Sequence, residues 1–144
     1  MTNDTFGRTA ALVAALARDA RAPADDALLL ALAFLVKNRL ALPCARALET
    51  PLPVLADAPA SRSLLAAAEA ALGRAYSGAA ADPTKGATAL HRHDEAPDWA
   101  ERFTATALIG PYLFLAAPEA ATSPDRARAT ACEFPRAAPA ASHP

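Results

Sequence analysis

Apolar residues recur at helical spacing in the first fifth of the chain. In this first stretch they are Phe6, Leu12, Val13 and Leu16. A spacing of three to four residues aligns side chains on one helix face, so the pattern predicts a helix over residues 5–20. Thr5 or Asp4 is available as its N-cap. Pro23 then interrupts the pattern and suits the first position of a following helix.

Residues 24–40 predict the strongest element. Asp25 and Asp26 fall in its first turn and Lys37 and Arg39 in its last, so the charges complement the helix dipole at both ends. Between them the sequence is apolar on every side. A helix that is apolar all round is buried, and we therefore expect a central helix.

Four prolines make residues 41–60 an irregular connection, because each removes a backbone donor and restricts the residue before it. A third helix is predicted over residues 59–76, with Gly73 and Gly78 able to help end it. Its apolar stripe consists of Leu64, Leu65, Ala68, Leu72 and Tyr76.

The pattern changes after Gly86. Residues 88–93 and 104–115 contain the β-branched and aromatic residues that suit strands. We expect a two- or three-stranded antiparallel element packed on the helices, which makes the fold class α+β and mainly helical. Residues 1–117 form the predicted domain, and the Ala- and Pro-rich residues 118–144 form a predicted disordered tail, since they offer little apolar surface to bury.

Composition narrows the classes of function. The net charge is −1, which provides no general field for nucleic acid or anionic lipid. Cys44 and Cys132 are the only cysteines, so a disulfide framework is not expected. No run of about 18 apolar residues is present to span a bilayer. The apolar run at residues 10–17 could be a short signal-peptide core, but Asp4 precedes it and Arg8 is the only basic residue before it, which favours a first helix.

Three separated motifs follow one another in the second half. Residues 82–88 read DPTKGAT, residues 97–100 read PDWA and residues 106–114 read TALIGPYLF. In this order they resemble the SleB-type cell wall hydrolases, whose pattern runs D-P-T-x-G-A, a proline-tryptophan segment, then T-A-x-I-G-x-H-x-F. Upstream, residues 15–21 and 33–39 read ALARDAR and AFLVKNR, where the family reads roughly L-x-G-E-A-R-G-E and A-x-V-V-L-N-R.

The resemblance implies a lysozyme-like domain that cleaves the glycan strands of peptidoglycan as a lytic transglycosylase, with one glutamate as acid and base and no cofactor. That glutamate falls on Asp19 here. The resemblance also implies a saccharide cleft lined by Thr84, His91, Trp99 and Thr106. The glutamine-phenylalanine-serine segment that the family has after its asparagine-arginine pair has no counterpart in this chain.

Asp19 follows Leu12 and Leu16 at helical spacing, so its carboxylate is expected to point inward or into a cleft. The alternative is an aspartate at a helix end that pairs with Arg21 or with local backbone. Aspartate is shorter than glutamate by about 1.5 Å. Either the cleft is rebuilt around the shorter acid and the chain is an enzyme, or the chain is an inactive module that binds peptidoglycan or a protein partner.

The remaining candidates also have structural alternatives. Thr84 lies in a turn sequence and can bond local backbone, and Trp99 can cover the small core. Asp82, Asp94 and Glu95 are candidate helpers of Asp19. His91 and His93 share a face in an extended segment, and Asp94 or Glu95 could add a third metal ligand, but a structural zinc normally takes four ligands. We expect no metal. For Asn38 and Arg39 we favour capping of the central helix over contact with substrate.

Overall fold

A computed structural model describes residues 2–20, 25–42 and 60–117. Within these ranges the chain forms three α-helices, one short 3₁₀ helix and three strands. Their bounds are α1 Asn3–Asp19, α2 Asp26–Leu40, α3 Arg62–Ser77, β1 Ala89–Arg92, the 3₁₀ helix Asp98–Arg102, β2 Thr104–Ile109 and β3 Tyr112–Ala116. The α+β class with its antiparallel sheet in the C-terminal half is confirmed, and a lysozyme-like arrangement stays a prediction.

Helix α1 begins earlier than predicted. Its N-cap is Thr2 and not Thr5 or Asp4, because the Thr2 hydroxyl accepts from the Thr5 amide at 3.1 Å. The helix ends at Asp19, and Ala20 after it keeps a right-handed helical conformation. Ala20 therefore does not take the left-handed conformation that commonly terminates helices.

Helix α2 is the central element, as predicted. The Asp25 carboxylate accepts from the Leu28 amide at 2.9 Å, which fixes the start of the helix one turn before the apolar run. Residues 31–36 are all buried, and α2 packs against α1, α3 and β2. Burial of each large aliphatic side chain contributes about 1.5–3 kcal/mol, so this helix supplies much of the core.

Helix α3 begins after Ser61, whose hydroxyl accepts from the Leu64 amide at 3.1 Å. Its last residue is Ser77, and Gly78 follows as the C-cap with a φ of 82°, as expected for glycine. Gly73 lies inside the helix. The Lys37 ammonium of α2 donates to the Ala75 carbonyl at 3.1 Å and so binds the last turn of α3. The same ammonium lies 5.3 Å from the centroids of the Phe34 and Tyr76 rings.

The sheet has the order β1-β3-β2, so β3 is central and both neighbours are antiparallel to it. The predicted strand region over residues 104–115 divides into β2 and β3 at Gly110, which has a φ of 59°. Leu90, Tyr112 and Phe114 belong to the hydrophobic core shared with the helices. One face of the sheet therefore packs on the helices, and we call it the inner face.

Several predictions concern residues that the structure does not describe. The irregular connection at 41–60 and the tail at 118–144 lie almost wholly outside the described ranges, as do Pro23, Arg21, Cys44 and Cys132. Within the described ranges, no helix has the length and apolarity needed to cross a bilayer.

Candidate functional site

Asp19 lies at the junction between α1 and the sheet. Its side chain is partly buried, and the Tyr112 hydroxyl lies 3.5 Å from Asp19 Oδ2. The same hydroxyl donates to the Leu16 carbonyl at 3.0 Å. Arg92 Nη1 donates to the Asp19 carbonyl at 3.2 Å and to the Ala20 carbonyl at 3.5 Å. The phenol of Tyr112 therefore approaches the carboxylate, and the guanidinium of Arg92 binds the backbone that carries it, both from the sheet.

Tyr112 is fully buried below this acid. Burial, and then the negative charge of Asp19, raise the pKa of the Tyr112 hydroxyl to about 12. The hydroxyl therefore keeps its proton at neutral pH and acts as a hydrogen-bond donor. In the TALIGPYLF motif, Tyr112 stands where the family pattern has histidine.

His91 lies on the other face of the sheet. Arg92 is directly opposite Tyr112 in the β1–β3 register, whereas His91 is opposite Leu113. Successive side chains in a strand point to opposite faces, so Arg92 and Tyr112 share the inner face and His91 belongs to the outer one. Asp19, the predicted acid, and His91, a predicted substrate contact, thus lie on opposite sides of the sheet.

A cluster of three aromatic rings covers part of this outer face. The Trp99 ring meets the His91 ring edge-on with centroids 5.8 Å apart, and it meets Phe103 in the same way at 5.3 Å. His91 Nδ1 lies 2.7 Å from the Arg92 carbonyl, and because a carbonyl only accepts, Nδ1 carries a proton. Trp99 is half-buried and retains an accessible surface.

The DPTKGAT motif forms a loop around the Asp82 carboxylate. Oδ1 accepts from the Thr84 amide at 2.8 Å and from its hydroxyl at 2.7 Å. Oδ2 accepts from the Gly86 amide at 2.9 Å and from the Asn38 side-chain amide at 3.0 Å. Partial burial raises the pKa of Asp82, but these hydrogen bonds outweigh it and hold that pKa below its ordinary value of 3.8.

Thr84 is fully buried inside this loop. Its hydroxyl donates to Asp82 and accepts from the Ala87 amide at 3.2 Å. The side chain therefore supports the loop, in agreement with the local-bonding alternative, and has no surface to offer a sugar.

Asn38 and Arg39 have a role that the sequence did not indicate. Asn38 also donates to the Ala87 carbonyl at 2.9 Å, and Arg39 Nη1 donates to the Thr88 carbonyl at 2.9 Å. Burial lowers the pKa of Arg39 to about 10, which still leaves the guanidinium charged at neutral pH. Arg39 lies in the last turn of α2, where its charge complements the helix dipole as predicted, and the contacts of Asn38 and Arg39 also hold the DPTKGAT loop against α2.

Thr106 lies at an irregularity in the sheet. The β2–β3 register shifts between Ala105 and Ala107, which is the signature of a β-bulge. The Thr106 hydroxyl donates to the Phe114 carbonyl at 3.2 Å. Its side chain is half-buried and stabilises the bulge.

Of the five predicted site residues, the structure brings two together, His91 and Trp99. Asp19 lies beyond the inner face, Thr84 lies inside the loop on α2, and Thr106 lies at the bulge. A single cleft lined by all five is not what the described residues form. Among the described residues, Arg92 and Tyr112 of the sheet contact Asp19. Arg92 alternates with Leu90 along β1 and Tyr112 alternates with Phe114 along β3, and this alternation could have indicated that the two share the inner face.

The histidine-rich turn after β1 does not assemble a metal site. Strand β1 ends at Arg92, and His93 and Asp94 form a turn, so the alternation that would align His91 with His93 stops. Among the residues described, no three side chains of histidine, cysteine, aspartate or glutamate are grouped so as to hold a metal ion.

Compared with protein-family models, with curated proteins and with solved structures, the chain shows no match to any of them. Its function is therefore inferred from its motifs and from the side-chain geometry around Asp19.

Proposed function

We propose that the chain is a divergent SleB-type cell wall hydrolase that cleaves peptidoglycan glycan strands, with Asp19 as general acid and then base. The observation that carries this proposal is the approach of the Tyr112 hydroxyl to Asp19 Oδ2 at 3.5 Å. In the resemblance, Asp19 stands at the position of the family's glutamate and Tyr112 at the position of the family's histidine. This contact brings the two positions together although they lie 93 residues apart in sequence.

A second contact supports the same assignment. Asn38 belongs to the upstream AFLVKNR motif and Asp82 to the downstream DPTKGAT motif, and their side chains are hydrogen-bonded. The upstream and downstream motifs that carry the resemblance are thus in contact in the fold as well as in the expected order along the chain.

The proposed chemistry needs one carboxyl group. Protonated Asp19 gives its proton to the glycosidic oxygen as the bond to the anomeric carbon breaks. The resulting carboxylate then takes the proton of the sugar's own 6-hydroxyl, whose oxygen attacks the anomeric carbon. The product is an anhydro sugar, no water is consumed, and Asp19 regains its proton.

A specific observation favours a second candidate, a module that binds glycan without cleaving it. The edge-to-face cluster of His91, Trp99 and Phe103 lies on the outer face. Leu108 lies on the same face, because it is paired with Leu113. Leu108 is 61% exposed. His91 is buried, so the accessible apolar surface here comes from half-buried Trp99 and from Leu108. Apolar surface of this kind suits the apolar face of a pyranose ring, and it lies away from Asp19.

Digestion of purified sacculi tests the first candidate. The expected result is release of anhydro-muramyl fragments, detected by mass spectrometry, which Asp19→Asn abolishes. Asp98→Asn is the matched control, since Asp98 is exposed in the 3₁₀ helix, and it should retain full release. Asp19→Glu indicates the history of the site: higher activity means a decayed cleft, and lower activity means one rebuilt for aspartate, because a misplacement near 1 Å changes the rate about 100-fold.

Co-sedimentation with sacculi tests the second candidate. Trp99 is the only tryptophan, so its fluorescence reports directly on the outer face. Binding without fragment release, lost in Trp99→Ala and kept in Asp19→Asn, would replace the enzyme with a binding module. Absence of both release and binding contradicts both candidates.

A further inference from the structure

The end of α1 is completed by side chains from the sheet. The last carbonyls of a helix have no partner within it, and a left-handed glycine after the helix often accompanies their pairing. Helix α3 is followed by such a residue, Gly78. Ala20, which directly follows α1, is right-handed. The Ala20 amide donates to the Leu16 carbonyl at 3.1 Å, and the Tyr112 hydroxyl is a second donor to that carbonyl. Arg92 donates to the carbonyls of Asp19 and Ala20, which lie at the helix end.

The two side chains act from one place in the sheet. Arg92 and Tyr112 are direct partners in the β1–β3 register, and both point from the inner face toward α1. They bind different groups of the same turn. Arg92 holds the backbone that carries the acid, and the Tyr112 hydroxyl lies beside the carboxylate itself.

We propose that Arg92 and Tyr112 are positioning residues that fix the backbone and the carboxylate of Asp19 in one orientation. The consequence for catalysis rests on the proposed function, whereas the fixed orientation does not. A short acid has one rotatable bond fewer than glutamate, so its reach is set by where its backbone is held. The single Tyr112 O–H proton is shared between the Leu16 carbonyl at 3.0 Å and the Asp19 carboxylate at 3.5 Å, and this shared contact favours one side-chain rotamer.

Tyr112 acts through Asp19 and not on a substrate. Its side chain is fully buried, so it cannot touch a sugar. Its hydroxyl keeps its proton at neutral pH, since burial and the charge of Asp19 raise the pKa to about 12. The Arg92 side chain is 31% exposed, and its Nε lies 4.0 Å from Oδ1 of the exposed Asp94.

The side-chain rotamer of Asp19 tests the proposal without reference to activity. Three-bond couplings across the Asp19 Cα–Cβ bond, measured by NMR, should indicate a single rotamer in the native protein and averaging in Tyr112→Phe. The matched control is Tyr76→Phe, because Tyr76 is the only other tyrosine and is exposed on α3. A single Asp19 rotamer retained in Tyr112→Phe overturns the proposal for Tyr112, whatever the activity.

Arg92 is tested in the same way and independently. Arg92→Gln should average the Asp19 couplings, Arg92→Lys should restore part of the order, and Arg102→Gln in the exposed 3₁₀ helix should change nothing. Unchanged couplings in Arg92→Gln overturn the role of Arg92. This variant also decides the proposal if Tyr112→Phe does not fold.

Cleavage kinetics separate this proposal from the proposed function. If the native protein releases fragments, Tyr112→Phe should lower kcat on the order of 100-fold with KM unchanged, the loss expected for an acid misplaced by about 1 Å. A rise in KM with kcat unchanged contradicts positioning of the acid. If the native protein releases no fragments and Tyr112→Phe still averages the Asp19 couplings, the positioning role of Tyr112 is upheld and the proposed enzyme activity is contradicted.

Discussion

The side-chain amide of Asn38 donates to the Asp82 carboxylate at 3.0 Å and thereby joins the end of α2 to a loop 44 residues further along the chain. The same carboxylate binds the amides of Thr84 and Gly86, so one acid organises both the loop and its attachment. Lys85 between them has a φ of 56°, a backbone conformation that residues other than glycine rarely adopt. The loop therefore depends on Asp82 for its shape.

Asp82→Ala should lower the free energy of unfolding by about 2–3 kcal/mol. The substitution leaves the amide and hydroxyl of buried Thr84 and the Asn38 side chain without their acceptor, whereas the exposed Gly86 amide can bond water. An unsatisfied group that is at least partly buried costs about 1–3 kcal/mol. Urea denaturation followed by circular dichroism measures the change. Asp98→Ala is the control and should stay within about 0.5 kcal/mol of the native protein; an equal loss in both variants would contradict the role of the loop.

The contribution of Asp82 should also depend on pH. The pKa of this carboxylate is lowered in the folded state, so the ionised form is favoured by folding. Its stabilisation is therefore fully present above the ordinary pKa of 3.8 and is lost as the pH falls through the lower, folded value. The difference in unfolding free energy between the native protein and Asp82→Asn should shrink as the pH falls from neutral to about 3. A difference that grows over this range has the wrong sign.

Two glycine-to-alanine substitutions should have opposite effects. Gly86 has a φ of 88°, where a Cβ is strained even though it would meet nothing within 4 Å, so Gly86→Ala should destabilise the protein by about 1–2 kcal/mol. Gly73 lies inside α3, where a Cβ also meets nothing within 4 Å, so Gly73→Ala should stabilise it by about 0.5–1 kcal/mol. Thermal unfolding of both variants provides the measurement, and shifts of the same sign would be inconsistent with the backbone geometry.

The two tyrosines should ionise separately in an alkaline absorbance titration. Burial, and then Asp19, raise the pKa of Tyr112 to about 12, and the partial burial of Tyr76 raises the pKa of that tyrosine. Asp19→Asn removes a negative charge beside Tyr112 and should lower the pKa of Tyr112 but not that of Tyr76. Asp98→Asn should leave both titrations unchanged.

The same pKa shift predicts a loss of stability in alkali. A raised pKa means that folding favours the protonated phenol, so the stabilisation by Tyr112 is fully present below its unfolded value of 10.0 and is lost as the pH rises to about 12. Tyr112→Phe should lose less stability than the native protein over this interval, as measured by urea denaturation at a series of pH values.

Periodicity along the chain predicted most of the fold. The all-round apolarity of residues 24–40 indicated a central helix, and α2 is buried along most of its length. The N-cap of α1 was wrong because several capping residues stand in a row, and only the hydrogen bond from Thr5 to Thr2 distinguishes them. Local signals decide which element forms, but they do not decide where it begins.

The candidate site was harder to predict, because it depends on which sheet face each residue occupies. His91 and Arg92 are adjacent in sequence and lie on opposite faces, so the one-residue register of β1 against β3 determines which of them meets Asp19. Thr84 was chosen from its motif, and its burial follows from the tertiary contact with α2 that no local pattern contains.

The position of β3 between β1 and β2 has a consequence for the order in which the molecule is completed. A chain emerging from the ribosome presents β1 first and β2 next, yet within the sheet neither pairs with the other, and each waits for the strand that is synthesised after both. The helices can associate while translation continues, but the sheet closes only when residues 112–116 arrive. Tyr112 comes with that last strand, so the surroundings of Asp19 are assembled at the same moment as the sheet.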